Sequence, residues 1–533
     1  MVPSDAHDHA DTYDYVIVGA GSAGCVMAAR LSEDPAARVL LLEAGPPDRA
    51  RRIAVPGVYL TLVGSIYDWG DSTSPQRHAG ERTLVYPRGR TLGGTSSING
   101  MLYGRGDAVV YDAWRDEYGC TGWGHADLLP HFRRAEDQQR GASHWHGAGG
   151  PLRVEDQRHL HPIHRAWVSA AVAHGLPAND DFAAGQYGAG FFQTTQRRGR
   201  RWSAADAYLR PAAARANLAV ETGALVTGVE LAGGRAVGVR YRGRNGGRLA
   251  RAGREVILCA GAIGSPHLLL LSGIGPAGHL REHGIEVTVD SPRVGEGLQD
   301  HPLCTPMWRL PGMRNLWEEA KARNVLRWAL LRRGPLAGNG GGSMTYAHSR
   351  PDLPAPDLQY GALPAPVVDQ GRTMPRVRRM SVLVAAVRPR SRGRVRLVSA
   401  DPEAAPLIDP ALLADGEDCD VLATGIEQVR RITACEPLAT LTDGEDVPGA
   451  DVTGEALRRW VRGNVHTLFH PTSTCAMGGD EETVCDPQLR VRGVEGLRVV
   501  DASVMPTVPN CPPNAPTIAL AERAAELVTA AAS

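Results

Sequence analysis

The chain has 533 residues and a formal net charge of zero, because 58 lysines and arginines balance 58 aspartates and glutamates. This length exceeds the usual size of one domain and predicts two lobes, and the neutral charge argues against a nucleic-acid surface as the main function. The nine cysteines include no CxxC pair, which suits a reducing cytoplasm. No apolar run reaches about 18 residues, so we expect no membrane span, and residues 1–12 have no apolar core, so we expect no signal peptide.

The most informative stretch is a buried strand followed by a glycine-rich turn. Residues 15–18 are apolar, and Gly19, Gly21 and Gly24 follow in the spacing GxGxxG. In this pattern the first glycine permits a sharp turn, the second lets the backbone approach a pyrophosphate, and the third lets the helix pack closely on the strand. The helix that begins near Ser22 and Ala23 would then direct its N-terminal amides at the phosphates.

A second apolar strand, residues 39–42, leads to an acidic residue at the expected distance. Glu43 follows the glycine turn by about 20 residues, where a carboxylate can accept hydrogen bonds from a ribose diol. Strand, turn, helix, strand and acid in this order predict dinucleotide binding. Two alternatives stay open at this point: an NAD-dependent enzyme, or a tight turn in another α/β fold with Glu43 only solvated.

A second glycine-rich segment begins after Tyr86. Gly93 and Gly94 are adjacent and are followed by hydroxyl and amide side chains up to Asn99. Such a polar turn suits a flat or anionic ligand, although an ordinary loop could have the same composition.

That segment, together with the first 45 residues, resembles the glucose-methanol-choline (GMC) family of flavin oxidoreductases. A second family signature spans residues 261–276, Gly-Ala-Ile-Gly-Ser-Pro-His-Leu-Leu-Leu-Leu-Ser-Gly-Ile-Gly-Pro. Shorter matching blocks occur in the family order at 201–209, 334–337, 356–359 and 391–393. The resemblance therefore covers nearly the whole chain.

The resemblance implies an α/β fold (α+β overall), with a Rossmann-like FAD-binding domain and a second, antiparallel-sheet substrate domain. The implied FAD-binding domain is discontinuous, with residues 13–155, 205–305 and 464–533, and the substrate-binding domain takes 156–204 and 306–463. Periodicity predicts strands at 217–220, 236–241, 255–260, 381–387 and 393–398, a helical stretch within 303–333, and helices at 418–435 and from Pro516 onward.

The family resemblance also implies FAD as cofactor and a set of residues that contact it. Some family members tether FAD through a histidine at the place that Ile98 occupies, and isoleucine has no nucleophilic atom, so we expect FAD to be held without a covalent bond. The implied cofactor-binding residues are Gly19, Gly21, Ser22, Ala23, Gly24, Glu43, Ala44, Trp69, Arg90, Gly93, Gly94, Ser97, Asn99, Gly100, Met101, Leu102, Val226, Ala260, Gly261, Asp501, Ala502, Ala515, Pro516 and Thr517.

The C-terminal part of the chain contains the implied catalytic residues. The segment 464–478 resembles the family segment whose histidine faces the flavin, which places that residue at His470, with His466 as the alternative. Asn514 precedes the C-terminal helix and matches the residue that orients the substrate hydroxyl. A neutral imidazole is a suitable base for an alcohol proton near pH 7. Without the resemblance, an interior histidine and a helix N-cap would explain the same residues.

Two histidine-rich stretches, 144–146 and 159–164, lack the carboxylate or cysteine pattern of a metal site, so we predict no metal. The expected function is FAD-dependent oxidation of the CH–OH group of a small-molecule alcohol to an aldehyde or ketone. Dioxygen, a quinone or another electron acceptor would reoxidise the flavin. Lyase or photodecarboxylase chemistry on the same fold, and a non-catalytic flavoprotein, stay open as alternatives.

Overall fold

The computed structural model describes residues 12–244, 246–319, 321–373 and 375–532. The polar segment 1–12, from which we expect no secretion signal, lies outside the described residues except for Thr12. Two large sheets, each with its own apolar core, dominate the described part of the chain.

The first sheet is built from short, mostly apolar strands that pair in parallel at its centre. In spatial order its strands are Leu218–Thr222, Val39–Glu43, Thr12–Val18, Gly246–Leu258, Arg235–Gly243 and Leu225–Ala232, and Leu497–Val499 also pairs with Gly246–Leu258. The strands at the centre are parallel, whereas the last three in that order form antiparallel pairs. The predicted strands at 217–220, 236–241 and 255–260 are confirmed within this sheet, with the third beginning at Gly246.

Helices Ser22–Leu31 and Asn514–Ala532 pack against each other beside this sheet. A charged residue connects them inside the core. The Glu522 carboxylate is fully buried and accepts hydrogen bonds from Arg30 at 2.8 Å and from the Tyr208 hydroxyl at 2.7 Å. Because an unpaired buried carboxylate is costly, this pairing fixes how the two helices lie relative to each other.

The second sheet is antiparallel, as the resemblance implies. In spatial order its strands are Glu445–Val447, Met307–Arg309, Arg379–Ala386, Leu358–Leu363, Ser343–Ala347 and Gly188–Phe191, and Pro302–Cys304 pairs with both Arg379–Ala386 and His466–Thr467. Helices Pro162–Ala173 and Gly416–Thr433 cover it and bury its apolar face. The helix predicted at 418–435 is thus confirmed, and the Asp415 side chain caps it by accepting from the Glu417 amide.

The strand predicted at 393–398 forms as Gly393–Arg396, but it pairs in a separate three-stranded sheet with Glu296–Leu298 and Leu407–Asp409. The helical stretch expected within 303–333 contains two helices, Leu316–Glu319 and Ala322–Leu331. The division of the chain into an FAD-binding and a substrate-binding domain stays a prediction.

The remaining strands form two-stranded sheets: Leu102–Tyr103 with Gln193–Thr194, Glu136–Gln138 with Leu152–Val154, Gln196–Arg197 with Arg200–Arg201, and Ile274–Gly275 with Val289–Asp290. The remaining α-helices are Ala108–Asp116, His125–Ala135, Arg210–Ala212, Gly261–Leu271, Ala277–Glu282, Leu438–Leu441 and Gly454–Asn464. Short 3-10 helices occupy Arg51–Ala54, Pro56–Leu62, Arg77–Ala79, Gly94–Ser97, Pro335–Ala337, Asp369–Gly371 and Ala502–Val504, and Ala205–Leu209 is π-helical.

Candidate active site

The first glycine turn connects strand Thr12–Val18 to helix Ser22–Leu31, which begins with Ser22 and Ala23. Gly19 has a φ of 96°, and a Cβ there would lie 2.7 Å from the Cys259 carbonyl oxygen. A Cβ on Gly24 would overlap the Gly19 carbonyl oxygen. Both positions therefore require glycine for the turn and for close packing of the helix on the strand.

Glu43 ends the neighbouring strand with its side chain directed at this turn. One carboxylate oxygen accepts from the Ala20 amide at 2.9 Å, and the other accepts from the Gly45 amide at 2.8 Å, across Ala44. Burial raises the pKa of Glu43 to about 7, against the lowering effect of these hydrogen bonds and of the Arg90 charge. Each oxygen keeps accepting capacity for a further donor such as a ribose hydroxyl.

The strand that contains Val226 begins next to Glu43. The Ala224 amide donates to the Glu43 carbonyl at 2.9 Å, and Val226 is buried two residues further along. The structure thus brings Val226 to the carboxyl end of the parallel strands, where ligands bind in sheets of this type.

The second glycine segment lies directly on the first. The Gly93 amide donates to the Ala20 carbonyl at 2.7 Å, and a Cβ on Gly94 would be 2.7 Å from the Gly21 Cα. The Ser97 hydroxyl donates to the Leu92 carbonyl at 2.7 Å, which closes the loop. Two segments about 70 residues apart therefore form one glycine-lined surface.

A buried arginine holds the polar part of this loop. Arg201 donates to the Ser96 carbonyl at 3.1 Å, to Asn99 Oδ1 at 2.9 Å and to the Ile53 carbonyl at 2.9 Å. Asn99 Oδ1 also accepts from the Met101 amide at 3.0 Å. Sequence reasoning placed Arg201 in a family block but gave it no role in the site; a lone buried arginine next to a tryptophan is a weak signal in sequence.

The end of the loop is fixed by pairing with other segments. The Gly100 carbonyl accepts from the Asn339 side chain, and Leu102 pairs with Thr194 in a short antiparallel ladder. Met101 is buried with a φ of 62°, a left-handed conformation that is uncommon outside glycine.

Trp69 and Arg90 lie at the edge of the glycine surface. The Arg90 guanidinium lies 4.6 Å from the centre of the Trp69 ring, which is 43% exposed. The buried Nε of Arg90 has no hydrogen-bond partner within the described residues. A guanidinium N–H left without a partner beside a glycine-rich turn is suited to an anionic or carbonyl group of a ligand.

The second family signature meets the C-terminal segment at Asp501. This buried carboxylate accepts from the Gly261 amide at 2.8 Å, the Ser265 hydroxyl at 2.6 Å and the Ser503 amide at 2.8 Å. Ser265 in turn accepts from the Ala260 amide at 3.1 Å. Burial raises the pKa of Asp501, and its hydrogen bonds oppose that shift. Asp501 and the following residue, Ala502, are thereby fixed against the strand end that contains Ala260.

His470 is held by two contacts, one through its backbone and one through its ring. Its backbone amide donates to Asp300 Oδ1 at 2.8 Å, and its Nδ1 lies 2.9 Å from Nδ1 of His301. Asp300 also accepts from the hydroxyls of Tyr86 at 2.6 Å and Thr467 at 2.8 Å. Asp300 and His301 were not singled out from the sequence; an acid and a histidine side by side before a proline are the only local signal.

The electrostatic environment keeps His470 neutral. Burial, the neighbouring His301 and the Arg88 guanidinium all lower the pKa of His470 well below 6.5. Burial also lowers the pKa of His301 to about 3. Two neutral imidazoles share one proton between their Nδ1 atoms, so one ring donates and the other accepts.

His466, the alternative base, occupies a different position. It belongs to strand His466–Thr467 and pairs through its backbone with Leu303. Its Nε2 is buried without a partner among the described residues, and burial lowers its pKa to about 4. His470, by contrast, is half-buried as a residue.

Asn514 begins the C-terminal helix, whose first turn contains Ala515, Pro516 and Thr517. Asn514 Oδ1 accepts from the Ser22 hydroxyl at 2.7 Å. The side chain that sequence reasoning linked to catalysis therefore lies against the first glycine turn. The helix N-terminus, which carries a partial positive charge, is directed toward the same region.

The residues present fit FAD. A glycine turn with a helix N-terminus suits a pyrophosphate, Glu43 retains acceptor capacity for a ribose, and Arg90 has an unused N–H. Within the described ranges no group of three or more histidine, cysteine, aspartate or glutamate side chains could hold a metal ion. No helix in those ranges combines the length and apolarity needed to cross a bilayer.

Comparison with known proteins agrees with this geometry. The family model for GMC oxidoreductases matches residues 13–303 with its N-terminal part and 389–521 with its C-terminal part. The chain therefore belongs to the GMC oxidoreductase family. It is an FAD-dependent oxidoreductase that acts on the CH–OH group of an alcohol.

Individual relatives match over almost the whole chain. An alcohol dehydrogenase [acceptor] of Pseudomonas putida is 41% identical, with 97% of this chain and 95% of the relative covered. The mitochondrial choline dehydrogenase of Homo sapiens is also 41% identical, with 97% and 90% covered. Among solved structures, pyridoxine 4-oxidase from Mesorbium loti superposes with a TM-score of 0.89 at 34% identity, covering 96% of this chain and 98% of that one.

Proposed function

We propose that His470 is the general base that removes the hydroxyl proton of the alcohol through its Nε2 atom. The observation that carries this proposal is the 2.9 Å contact between the Nδ1 atoms of His470 and His301. When bound, FAD supplies the acceptor for the hydride that leaves the carbinol carbon. Neutral imidazole at this site is available as a base across the neutral pH range, because the pKa of His470 is lowered.

The contact with His301 selects the tautomer that the base needs. A neutral His470 that accepts a proton at Nε2 must have its own proton on Nδ1, which then donates to Nδ1 of His301. His301 in turn must be protonated on Nε2, an atom that is buried without a hydrogen-bond partner among the described residues. The backbone of Pro509 and Val387 partly offsets the lowering of the His301 pKa by burial. Once Nε2 has taken the substrate proton, the donation from Nδ1 to His301 is retained.

Asn514 orients the substrate hydroxyl in this proposal. Its Oδ1 accepts from the Ser22 hydroxyl, which fixes the orientation of the amide and leaves Nδ2, which has no partner among the described residues, as a donor. An N–H donor at the substrate oxygen stabilises the negative charge that develops there as the proton leaves. Ser22 therefore acts on the substrate through Asn514.

The cofactor-binding residues given in the sequence analysis are proposed to hold FAD without a covalent bond. Ile98, at the place where a tethering histidine would stand, packs in an apolar cluster with Ile53, Leu62 and Tyr67. Its side chain has no atom that could bond to the flavin. Binding then rests on the glycine surface, Glu43 and Arg90.

The substrate is proposed to be a small-molecule alcohol, and dioxygen, a quinone or another acceptor to reoxidise the flavin. We also propose a cytoplasmic location, because all nine cysteines are free thiols and eight of them are buried. No disulfide bond stabilises the described part of the chain, as is usual for proteins of a reducing compartment.

Anaerobic titration of the holoenzyme with alcohols of different class tests the function. We expect at least one class to bleach the flavin absorbance and to yield the aldehyde or ketone in equal amount. The His470→Ala variant should keep its yellow colour under the same titration. A flavin that no alcohol reduces would indicate a non-catalytic flavoprotein, and carbon dioxide release on illumination of a fatty acid would indicate decarboxylase chemistry.

A further inference from the structure

Helix Ala322–Leu331 has an apolar face that no part of the described chain covers. Val325, Leu326, Leu330 and Leu331 are 55%, 59%, 72% and 62% exposed. Leu326 and Leu330 are four residues apart, so their side chains lie next to each other on one side of the helix. Isolated apolar residues on a surface are ordinary, but four on one short helix form a patch.

The same segment is strongly basic in a chain whose net charge is zero. Residues 321–333 contain Lys321, Arg323, Arg327, Arg332 and Arg333 and no aspartate or glutamate. None of these five side chains forms an ion pair with another described residue. The two acids nearest in sequence on the N-terminal side, Glu318 and Glu319, lie instead within ion-pair distance of Arg378 and His159.

The helix is anchored on its inner side rather than loosely attached. The Trp328 indole donates to the Gly199 carbonyl at 2.8 Å, and a Cβ on Gly199 would lie 2.5 Å from the Arg332 carbonyl oxygen. The polar and aromatic contacts thus face the protein, while the apolar side chains protrude. A protruding apolar face next to unpaired cations is the pattern of a helix that lies in a membrane interface.

Neighbouring segments extend the apolar patch. The 3-10 helix Pro335–Ala337 packs against both Ala322–Leu331 and Pro56–Leu62. Leu60, in the latter segment, is 37% exposed, and Ile66, a few residues beyond it, is 69% exposed. Through Pro335–Ala337 the apolar surface of the helix is therefore connected to the segment that contains Leu60.

We propose that this surface, which we call the basic apolar helix (residues 321–333), docks the enzyme on the surface of an anionic lipid bilayer. Anionic headgroups would pair with the cations, and the four protruding side chains would enter the boundary between headgroups and acyl chains. A second copy of the chain is a poorer occupant, because a two-fold contact would place five cations against the same five cations. Docking of this kind needs no membrane span.

Docking would also orient the active site. The chain runs from this helix to Asn339, whose side chain donates to the Gly100 carbonyl of the cofactor loop. Only about six residues separate the helix region from that contact, so the bilayer would lie on the side of the molecule where this loop is held. The proposal does not depend on which alcohol the enzyme oxidises.

Vesicle sedimentation of the FAD-loaded enzyme tests the proposal. The probes are vesicles of phosphatidylcholine alone and of phosphatidylglycerol with phosphatidylcholine in equal parts. We expect binding to the anionic vesicles, weak binding to the neutral ones, and release at about 1 M salt, where charges are screened beyond about 3 Å. Equal binding to both vesicles, or binding to neither, would overturn the proposal.

Two double variants separate the charge from the apolar contribution. Leu326→Ser with Leu330→Ser should lower partitioning about tenfold or more, and Arg323→Gln with Arg327→Gln should lower it about fivefold for each charge at low salt. The matched controls are Val398→Ser, 52% exposed, and Arg77→Gln with Arg281→Gln, which lie elsewhere on the surface. These should partition like the unmodified enzyme.

Flavin absorbance and melting temperature establish that every variant is folded and loaded. If the helix variants bind vesicles as strongly as the control variants, the proposal is contradicted. If the unmodified enzyme self-associates without vesicles and the variant with both Leu326→Ser and Leu330→Ser is monomeric, a second copy covers this face instead.

Discussion

The imidazole rings of His301 and His470 meet through their Nδ1 atoms at 2.9 Å, with the ring planes almost perpendicular at 87°. Only one proton fits between two nitrogens at this distance. The contact therefore couples the tautomers of two histidines that lie 169 residues apart in the chain. It makes His301 a positioning residue for the proposed base.

Replacing His301 tests this coupling. His301→Ala removes the acceptor for the Nδ1 proton of His470, so a fraction of His470 takes the tautomer with its proton on Nε2, which cannot act as the base. We therefore expect kcat to fall about 10- to 100-fold with little change in KM. The loss of a neighbour that lowers the pKa of His470 should also move the acidic limb of the pH profile of kcat/KM to higher pH. His301→Gln, which keeps an acceptor, should recover part of the rate. A lower melting temperature with unchanged kcat and pH profile would mean that His301 only fills space.

Replacing His470 tests the base itself. His470→Ala should retain FAD, and alcohol turnover should fall on the order of 10²- to 10⁴-fold, the usual contribution of a general base. His466→Ala is the matched control and should retain most of its turnover, because His466 Nε2 is enclosed by protein. The opposite result in the two variants would assign the proton transfer to His466.

Arg201 should matter for the cofactor loop, although it is not expected to touch the substrate. Arg201→Ala leaves the carbonyls of Ile53 and Ser96 without a donor and removes one of the two donors to Asn99 Oδ1, and buried unpaired groups cost about 1–3 kcal/mol each. We expect a loss of stability of about 2 kcal/mol or more and release of FAD at lower temperature. The neighbouring, exposed Arg200→Ala is the control. Equal melting temperatures for the two variants would contradict this role.

Buried neutral histidines should make the protein less stable in acid. The pKa of His466 is lowered to about 4 in the folded protein, whereas in the unfolded chain it is near 6.5. As the pH falls below 6.5, the unfolded chain takes up a proton on this histidine that the folded chain does not. The free energy of unfolding therefore decreases, by about 2 kcal/mol between pH 6.5 and 5 for this residue. His466→Asn should therefore show a smaller drop in melting temperature from pH 7 to pH 5 than the unmodified protein. The exposed His78→Asn variant should show the full drop, and an equal drop in all three proteins would contradict the assignment.

FAD should leave the protein when the fold is destroyed. Acid or heat precipitation is expected to release all the yellow colour into the supernatant, because Ile98 has no nucleophilic atom. The intact protein mass should equal that of the chain alone. Colour retained in the pellet, together with a mass increase equal to FAD, would mean that another residue of the loop forms the bond.

The local pattern of the sequence determined the parts of the molecule that depend on neighbouring residues. The apolar run before Gly19, the helix after it and the strand ending at Glu43 all form as predicted, since side-chain periodicity and glycine conformations act over a few residues. The family signatures also identified the class of enzyme. The long helix near Asp418 follows from its amphipathic spacing in the same way.

Only the tertiary structure decided which distant residues meet. No local pattern indicates that Arg201 holds Asn99, that Asp300 receives the backbone of His470, or that His301 shares a proton with it. The strand predicted at 393–398 likewise formed, but its partners placed it in a small separate sheet. The physical reason is the same in each case: these contacts depend on packing between segments far apart in the chain, and burial then lowers the pKa values of His301 and His470 that keep the proposed base neutral.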